Sequence, residues 1–131
     1  MIGLDTNVLV RYVMQDDPRQ SPRATRLLEA LQPDEPGFVP LVALVELVWV
    51  LSGSYGLSRT QVATVLDTLL RSKELVLDRA DLVSQALHRY SANGADFADA
   101  LIERIAAAAG RSEEHTLNSS HLRLSRMPSS A

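Results

Sequence analysis

Residues 1–4 form a short apolar segment that ends in Asp5-Thr6-Asn7, after which Val8, Leu9, Tyr12 and Val13 recur at helical spacing. The pattern predicts a strand, a tight turn and a helix. Asp16-Asp17-Pro18 breaks that helix, and a second begins with Pro22 in its first turn and carries Ala24, Leu27, Leu28 and Leu31 inward. Pro33-Asp34-Glu35-Pro36-Gly37 is a turn cluster, Phe38-Val39 a very short strand, and Pro40 the opening of a helix over 41–52 that is apolar nearly all round. Gly53 and Gly56 end it. Ser58 is placed to cap the next helix, whose inward stripe is Val62, Val65, Leu66 and Leu69 and which reaches Arg71. A third strand over 74–77 follows, then a helix capped by Asp78 or Asp81, with Leu82, Val83, Ala86 and Leu87 facing in and Asn93-Gly94 as its stop. A last helix spans 96–109. Strands alternating with helices predict an α/β domain: a parallel sheet covered by helices, with right-handed crossovers and no internal repeat.

The pattern stops at Gly110. Residues 111–131 hold six serines and two histidines, no valine or isoleucine, and no regular apolar period. A parallel sheet of this type should gain another strand after the 96–109 helix, and none is encoded there. Arg111-Ser112-Glu113-Glu114-His115 resembles the translation of a common sequencing adapter. The expectation is a domain over 1–110 and a tail over 111–131 that is non-native read-through, or else naturally disordered. The whole chain, at 131 residues, has room for one domain. The absence of cysteine excludes disulfide scaffolds, zinc-thiolate sites and thiol nucleophiles, and with no signal peptide or membrane span in view the expected location is the cytoplasm. A net charge of -3 excludes nucleic-acid binding by bulk attraction, so phosphate chemistry here requires metal ions or a local basic patch.

Asp5 stands at the carboxyl end of the first strand, the edge of a parallel sheet where ligands gather. Capping the following helix is its alternative role. Glu46 is the single ionisable group among ten apolar neighbours over 41–51. Burying it alone would cost several kcal/mol, about the penalty of any unpaired interior charge, so it should bind metal, line a cleft or pair with a cation such as Arg11. Asp96 and Asp99, three apart, project from nearly one face of their helix, where they either approach one ion or act as N-cap and first-turn acid. Helices that follow different strands bring Asp5, Glu46 and Asp99 toward one sheet edge. All-oxygen ligands of this kind favour Mg²⁺ or Mn²⁺ and hydrolysis of a phosphate ester. Arg11 and Arg104 are the cations nearest these acids in sequence, free for a phosphate or paired with Glu46 or Glu103. Trp49 reads as core or dimer surface rather than a base-stacking platform, and His88 as a surface or half-buried residue rather than a base. Asn7 stands where a haloacid-dehalogenase-like phosphatase needs a second aspartate, and the first turn lacks the glycines of a dinucleotide fold.

Three segments carry a specific resemblance: Met1-Ile2-Gly3-Leu4-Asp5-Thr6-Asn7-Val8-Leu9-Val10-Arg11-Tyr12, Leu44-Val45-Glu46-Leu47-Val48-Trp49-Val50-Leu51 and Ala95-Asp96-Phe97-Ala98-Asp99-Ala100-Leu101-Ile102. They resemble the signatures of PIN-domain ribonucleases, above all the VapC-type toxins of bacterial toxin–antitoxin pairs. The resemblance implies a three-layer α/β sandwich, here with its final strand missing, and an endoribonuclease that hydrolyses RNA through Mg²⁺ or Mn²⁺. Asp5, Glu46 and Asp99 would be the metal carboxylates, Asp96 an auxiliary acid, and Thr6 or Asn7 a polar group that positions ligand or phosphate. It further implies a homodimer inhibited by a cognate antitoxin. The family supplies another aspartate in a Thr-Phe-Asp-like segment after the next strand, and this chain has no such segment. That departure favours the alternative reading, a non-catalytic module that docks an antitoxin or other protein at the acidic pocket.

Overall fold

The computed structural model describes residues 1–110, and the expectations for the tail lie outside the described residues. Three short strands, β1 (Ile2–Gly3), β2 (Gly37–Val39) and β3 (Leu75–Leu77), pair in parallel in the order β1-β2-β3. Ile2 registers with Gly37 and Gly37 with Leu75. Parallel neighbours require a crossover between each pair. The first contains α1 (Thr6–Met14) and α2 (Gln20–Ala30); the second contains α3 (Leu41–Trp49) and α4 (Arg59–Arg71). α5 (Ala80–Asn93) and α6 (Phe97–Ala108) follow β3 as a helical hairpin. The architecture is a mostly helical α/β domain on a short parallel sheet.

So small a sheet cannot bury much by itself, and the helices supply the core. Leu9, Leu47, Leu51, Val62, Leu66, Val83 and Ala86 are fully buried there. On α3 the inward stripe is Ala43, Leu44, Leu47 and Val48, whereas Val42 and Trp49 are 66% and 59% exposed. Trp49 is therefore surface and not core. His88 is exposed.

Helix ends follow the sequence in part. The Ser58 hydroxyl accepts from the Gln61 amide and the Gln61 side chain accepts from the Ser58 amide, a reciprocal box that starts α4. Gly94 ends α5 at φ 71°. Two expectations are corrected. Neither Asp78 nor Asp81 caps α5: the chain enters through Arg79 at φ 53°, whose carbonyl accepts from Leu82 and Val83. Asp78 is occupied in the sheet, its amide donating to the Val39 carbonyl at 2.9 Å. The helix expected over 41–52 is α-helical only to Trp49, then widens into a π-helical turn (Val50–Ser54). Ser52 donates its hydroxyl back to the Val48 carbonyl, Gly53 weakens the helix, and the Tyr55 amide closes the wide turn on the Val50 carbonyl.

That turn delivers Tyr55 to the end of α1. Its hydroxyl donates to Asp16 Oδ2 at 2.6 Å, and Arg11 donates to Asp16 Oδ1 at 3.1 Å. The Tyr55 hydroxyl, then the Asp16 backbone amide and Arg11, hold the Asp16 carboxyl below its usual range, and the Tyr55–Asp16 bond raises the Tyr55 phenol. The lowered Asp16 pKa adds stability above about pH 4 that is lost as pH falls through it; the raised phenol adds stability below about pH 10 that is lost as pH rises. Tyr55→Phe should therefore remove the alkaline loss and shrink the acid one, as read by melting temperature across pH.

Gly37 is buried in the central strand, and a Cβ there would lie 2.8 Å from Leu4 Cδ1 and 2.9 Å from Leu31 Cδ1. Both are side-chain ends that must move. Gly37→Ala should cost about 1–3 kcal/mol by overpacking, measured as a lower urea midpoint at unchanged slope.

Candidate metal-binding site

Strand exits locate the first two acids. β1 ends where the Leu4 amide donates to the Phe38 carbonyl at 2.8 Å, and the next residue, Asp5, is exposed at the start of α1. Asp5 caps that helix, its Oδ1 accepting from the Val8 amide at 2.9 Å. Capping engages Oδ1 and leaves Oδ2 to other partners. Beside β1, β2 exits through Pro40 into α3, where Glu46 shares the outward face with Val42 and Trp49. This face explains how a carboxylate sits among apolar residues without a burial penalty.

One hydrogen bond joins the two exits. The Thr6 hydroxyl lies 2.7 Å from Glu46 Oε1 and 3.5 Å from the Ala43 carbonyl, so its single proton goes to the carboxylate. Thr6 thus anchors Glu46 beside Asp5. Asn7 does not join them, because its amide donates to Gln20 at the start of α2.

The other acids arrive by a different route. α6 follows a helix and not a strand, so the sheet edge does not position Asp96 or Asp99; packing of α6 on α5 and α3 does. Asp96 is the N-cap, with Oδ2 accepting from the Asp99 amide at 3.1 Å. Asp99 is half-buried in the first turn, on the helix that meets α3. Among the described residues, no three of His, Cys, Asp and Glu stand close enough together to hold a metal ion on their own.

The cations sort themselves elsewhere. Arg11 is taken by Asp16, not Glu46, and Arg104 pairs with Glu103 and donates to Gln85. Arg89 also binds Glu103, whose carboxyl is held below its usual range first by the Arg104 hydrogen bond. Neither Asp5 nor Glu46 has an ion pair among the described residues. Two exposed carboxylates linked through a threonine, with no cation to neutralise them, fit a hard divalent ion. Mg²⁺ in particular is held by one or two carboxylates, with water and phosphate oxygens filling the rest of its shell, and does not need an all-protein cage. The residues present therefore suit such an ion.

A family model for the PIN domain matches residues 2–120. The chain belongs to the PIN domain family. No curated protein and no solved structure matches it. PIN domains are in general nucleases and typically use divalent metal ions. In this PIN domain Asp5, Glu46, Asp96 and Asp99 all lie in helix-starting or helix-outward positions, and no described helix is long and apolar enough to cross a membrane. The Tyr55–Asp16 bond was not foreseen from the sequence, where an aromatic in a glycine-flanked turn is its one signal.

Asp5 serves the helix as well as the site, and substitution separates the two roles. Asparagine caps as well as aspartate, so Asp5→Asn should leave stability nearly unchanged, whereas Asp5→Ala should cost about 0.5–2 kcal/mol. Chemical denaturation of the two variants measures the difference.

Proposed function

We propose that this PIN domain is a metal-dependent endoribonuclease, the toxin of a toxin–antitoxin pair, that hydrolyses RNA phosphodiester bonds. The observation that carries the reading is the Thr6–Glu46 bond, which fixes an exposed, unneutralised carboxylate next to Asp5. Asp5 and Glu46 would hold Mg²⁺ or Mn²⁺, with Asp99 acting on the ion's water shell, and such an ion would supply acidification of water and neutralisation of the charge that develops on phosphate. Thr6 holds the Glu46 carboxylate at the residue that follows Asp5. Asp96 stiffens the α6 start and so the bearing of Asp99. The phosphate itself meets a negative surface, so RNA approaches only when the acids are neutralised.

Val42 and Trp49, exposed on either side of Glu46, favour a protein partner over that face, in keeping with a homodimer and an inhibiting antitoxin. The second reading, a non-catalytic module that docks a partner at the acids, is favoured by the lack of a closed three-carboxylate group among the described residues.

Cleavage of a mixed RNA pool with added Mn²⁺ or Mg²⁺ separates the two. The nuclease reading expects chelator-sensitive cleavage by the wild type that Asp5→Asn abolishes. Glu46→Gln should weaken Mn²⁺ binding and leave the fold intact. Wild-type turnover in Asp5→Asn, or no metal-stimulated cleavage at all, would sink it.

A further inference from the structure

Arg59 opens α4, yet its side chain reaches across to the turn between α5 and α6. There Nη2 donates to the Tyr90 carbonyl at 2.8 Å and to the Ala95 carbonyl at 2.5 Å. The guanidinium carbon lies 3.9 Å from the centroid of the Tyr90 ring, a cation–π contact. That ring in turn meets Phe97 edge to face, centroids 6.2 Å apart and planes at 90°. The two carbonyls bracket the turn. Tyr90 is in the last turn of α5, where carbonyls lack helical partners, and Ala95 immediately precedes the cap of α6.

What hangs on this turn is the pair of α6 acids. Gly94 takes φ 71° and is exposed, and among the described residues no other side chain hydrogen-bonds to residues 94 or 95. Phe97, 1% exposed, lies in sequence between Asp96 and Asp99 and is packed against the ring that Arg59 covers. A single guanidinium thus fixes the turn from its polar side and its aromatic side together. Lysine can offer charge to the ring or donors to the carbonyls, but its ammonium is a point and not a planar group that lies over the ring at its centre while donating from its edge.

We propose that Arg59 is a positioning residue that holds Asp96 and Asp99 in register with the Thr6–Glu46 pair by clamping the α5–α6 turn. The purpose of the clamp rests on the nuclease reading; the clamp itself does not.

Amide hydrogen exchange and Mn²⁺ titration of the full chain test it, using wild type, Arg59→Ala and Arg59→Lys. The Asp99 and Ala100 amides, bonded to Asp96 Oδ2 at 3.1 Å and the Asp96 carbonyl at 2.9 Å, should exchange about tenfold faster in Arg59→Ala. Leu9, bonded to the Asp5 carbonyl on α1, should be unmoved, and Arg59→Lys should fall between. Mn²⁺ affinity should drop about tenfold in Arg59→Ala, as for other groups that orient metal ligands, and recover in part with lysine. Unchanged exchange at Asp99 and Ala100 overturns the clamp, as does an equal rise at Leu9, which would mean general loosening. Faster local exchange with unaltered Mn²⁺ affinity overturns the positioning role. If Arg59→Ala does not fold, Arg59→Lys decides by the same amides. If the wild type takes up no Mn²⁺, the nuclease reading falls, and the exchange result still decides the clamp.

Discussion

Parallel pairing of three very short strands is the constraint from which the rest of the structure follows. Each strand must hand the chain to a helix at the same edge and recover it from the opposite one, so the turns after β1 and β2 are neighbours by necessity. Asp5 occupies the first of these turns and α3 begins in the second. The sheet contributes little apolar area, and its value lies in this alignment; the buried leucines and valines of the helices do the stabilising. Gly37 is where the two demands meet, because the central strand must carry no side chain for Leu4 and Leu31 to close over it.

Local charge in the molecule is arranged by exclusion. The arginines nearest the acids in sequence are each held by partners of their own: Arg11 by Asp16 and Tyr55, Arg104 by Glu103 and Gln85. Arg59 spends its donors on carbonyl oxygens. What is left around Asp5 and Glu46 is negative charge that helix capping and one threonine hydroxyl soften without neutralising. Such a surface resists nucleic acid and favours a divalent cation, the opposite of what a basic binding face would do.

The fold was legible where a residue's role is local. Apolar stripes gave the helices, Ser58 and Asp96 marked two starts, and Gly94 marked a stop, because caps and glycine stops act within four residues. Asp5 and Asp96 were legible as caps and as candidate ligands at once, and both carry the cap. The left-handed entry at Arg79 escaped because acids on either side looked like better caps, and propensity does not see that Asp78 is tied to Val39. The π-helical turn escaped because Gly53 reads as the end of a helix, whereas the chain continues through one wide turn that Tyr55 closes on Val50. In the site, Glu46 stood out in the sequence as anomalous, with a metal ion, a cleft and a cation such as Arg11 all open to it. Only the fold shows that Thr6, 40 residues earlier, is its partner.

These distances in sequence divide the candidate site into two halves with separate supports. Asp5 and Thr6 leave β1 and α3 leaves the neighbouring β2, and one short hydrogen bond joins Thr6 to Glu46, so their alignment rests on the β1–β2 pairing. Asp96 and Asp99 belong to the second helix of a hairpin whose first helix, α5, meets β3, so they stand one helix further from the sheet, and their bearing depends on how α6 packs on α3 and α5 and on how the turn before Asp96 is held. A group of ligands is only as well placed as its least constrained member, since misplacement of a fraction of an ångström weakens a metal site or a reaction geometry. On the proposed site, the α5–α6 turn, 31 to 36 residues from Arg59 in sequence, is therefore where the placement of the α6 acids is set.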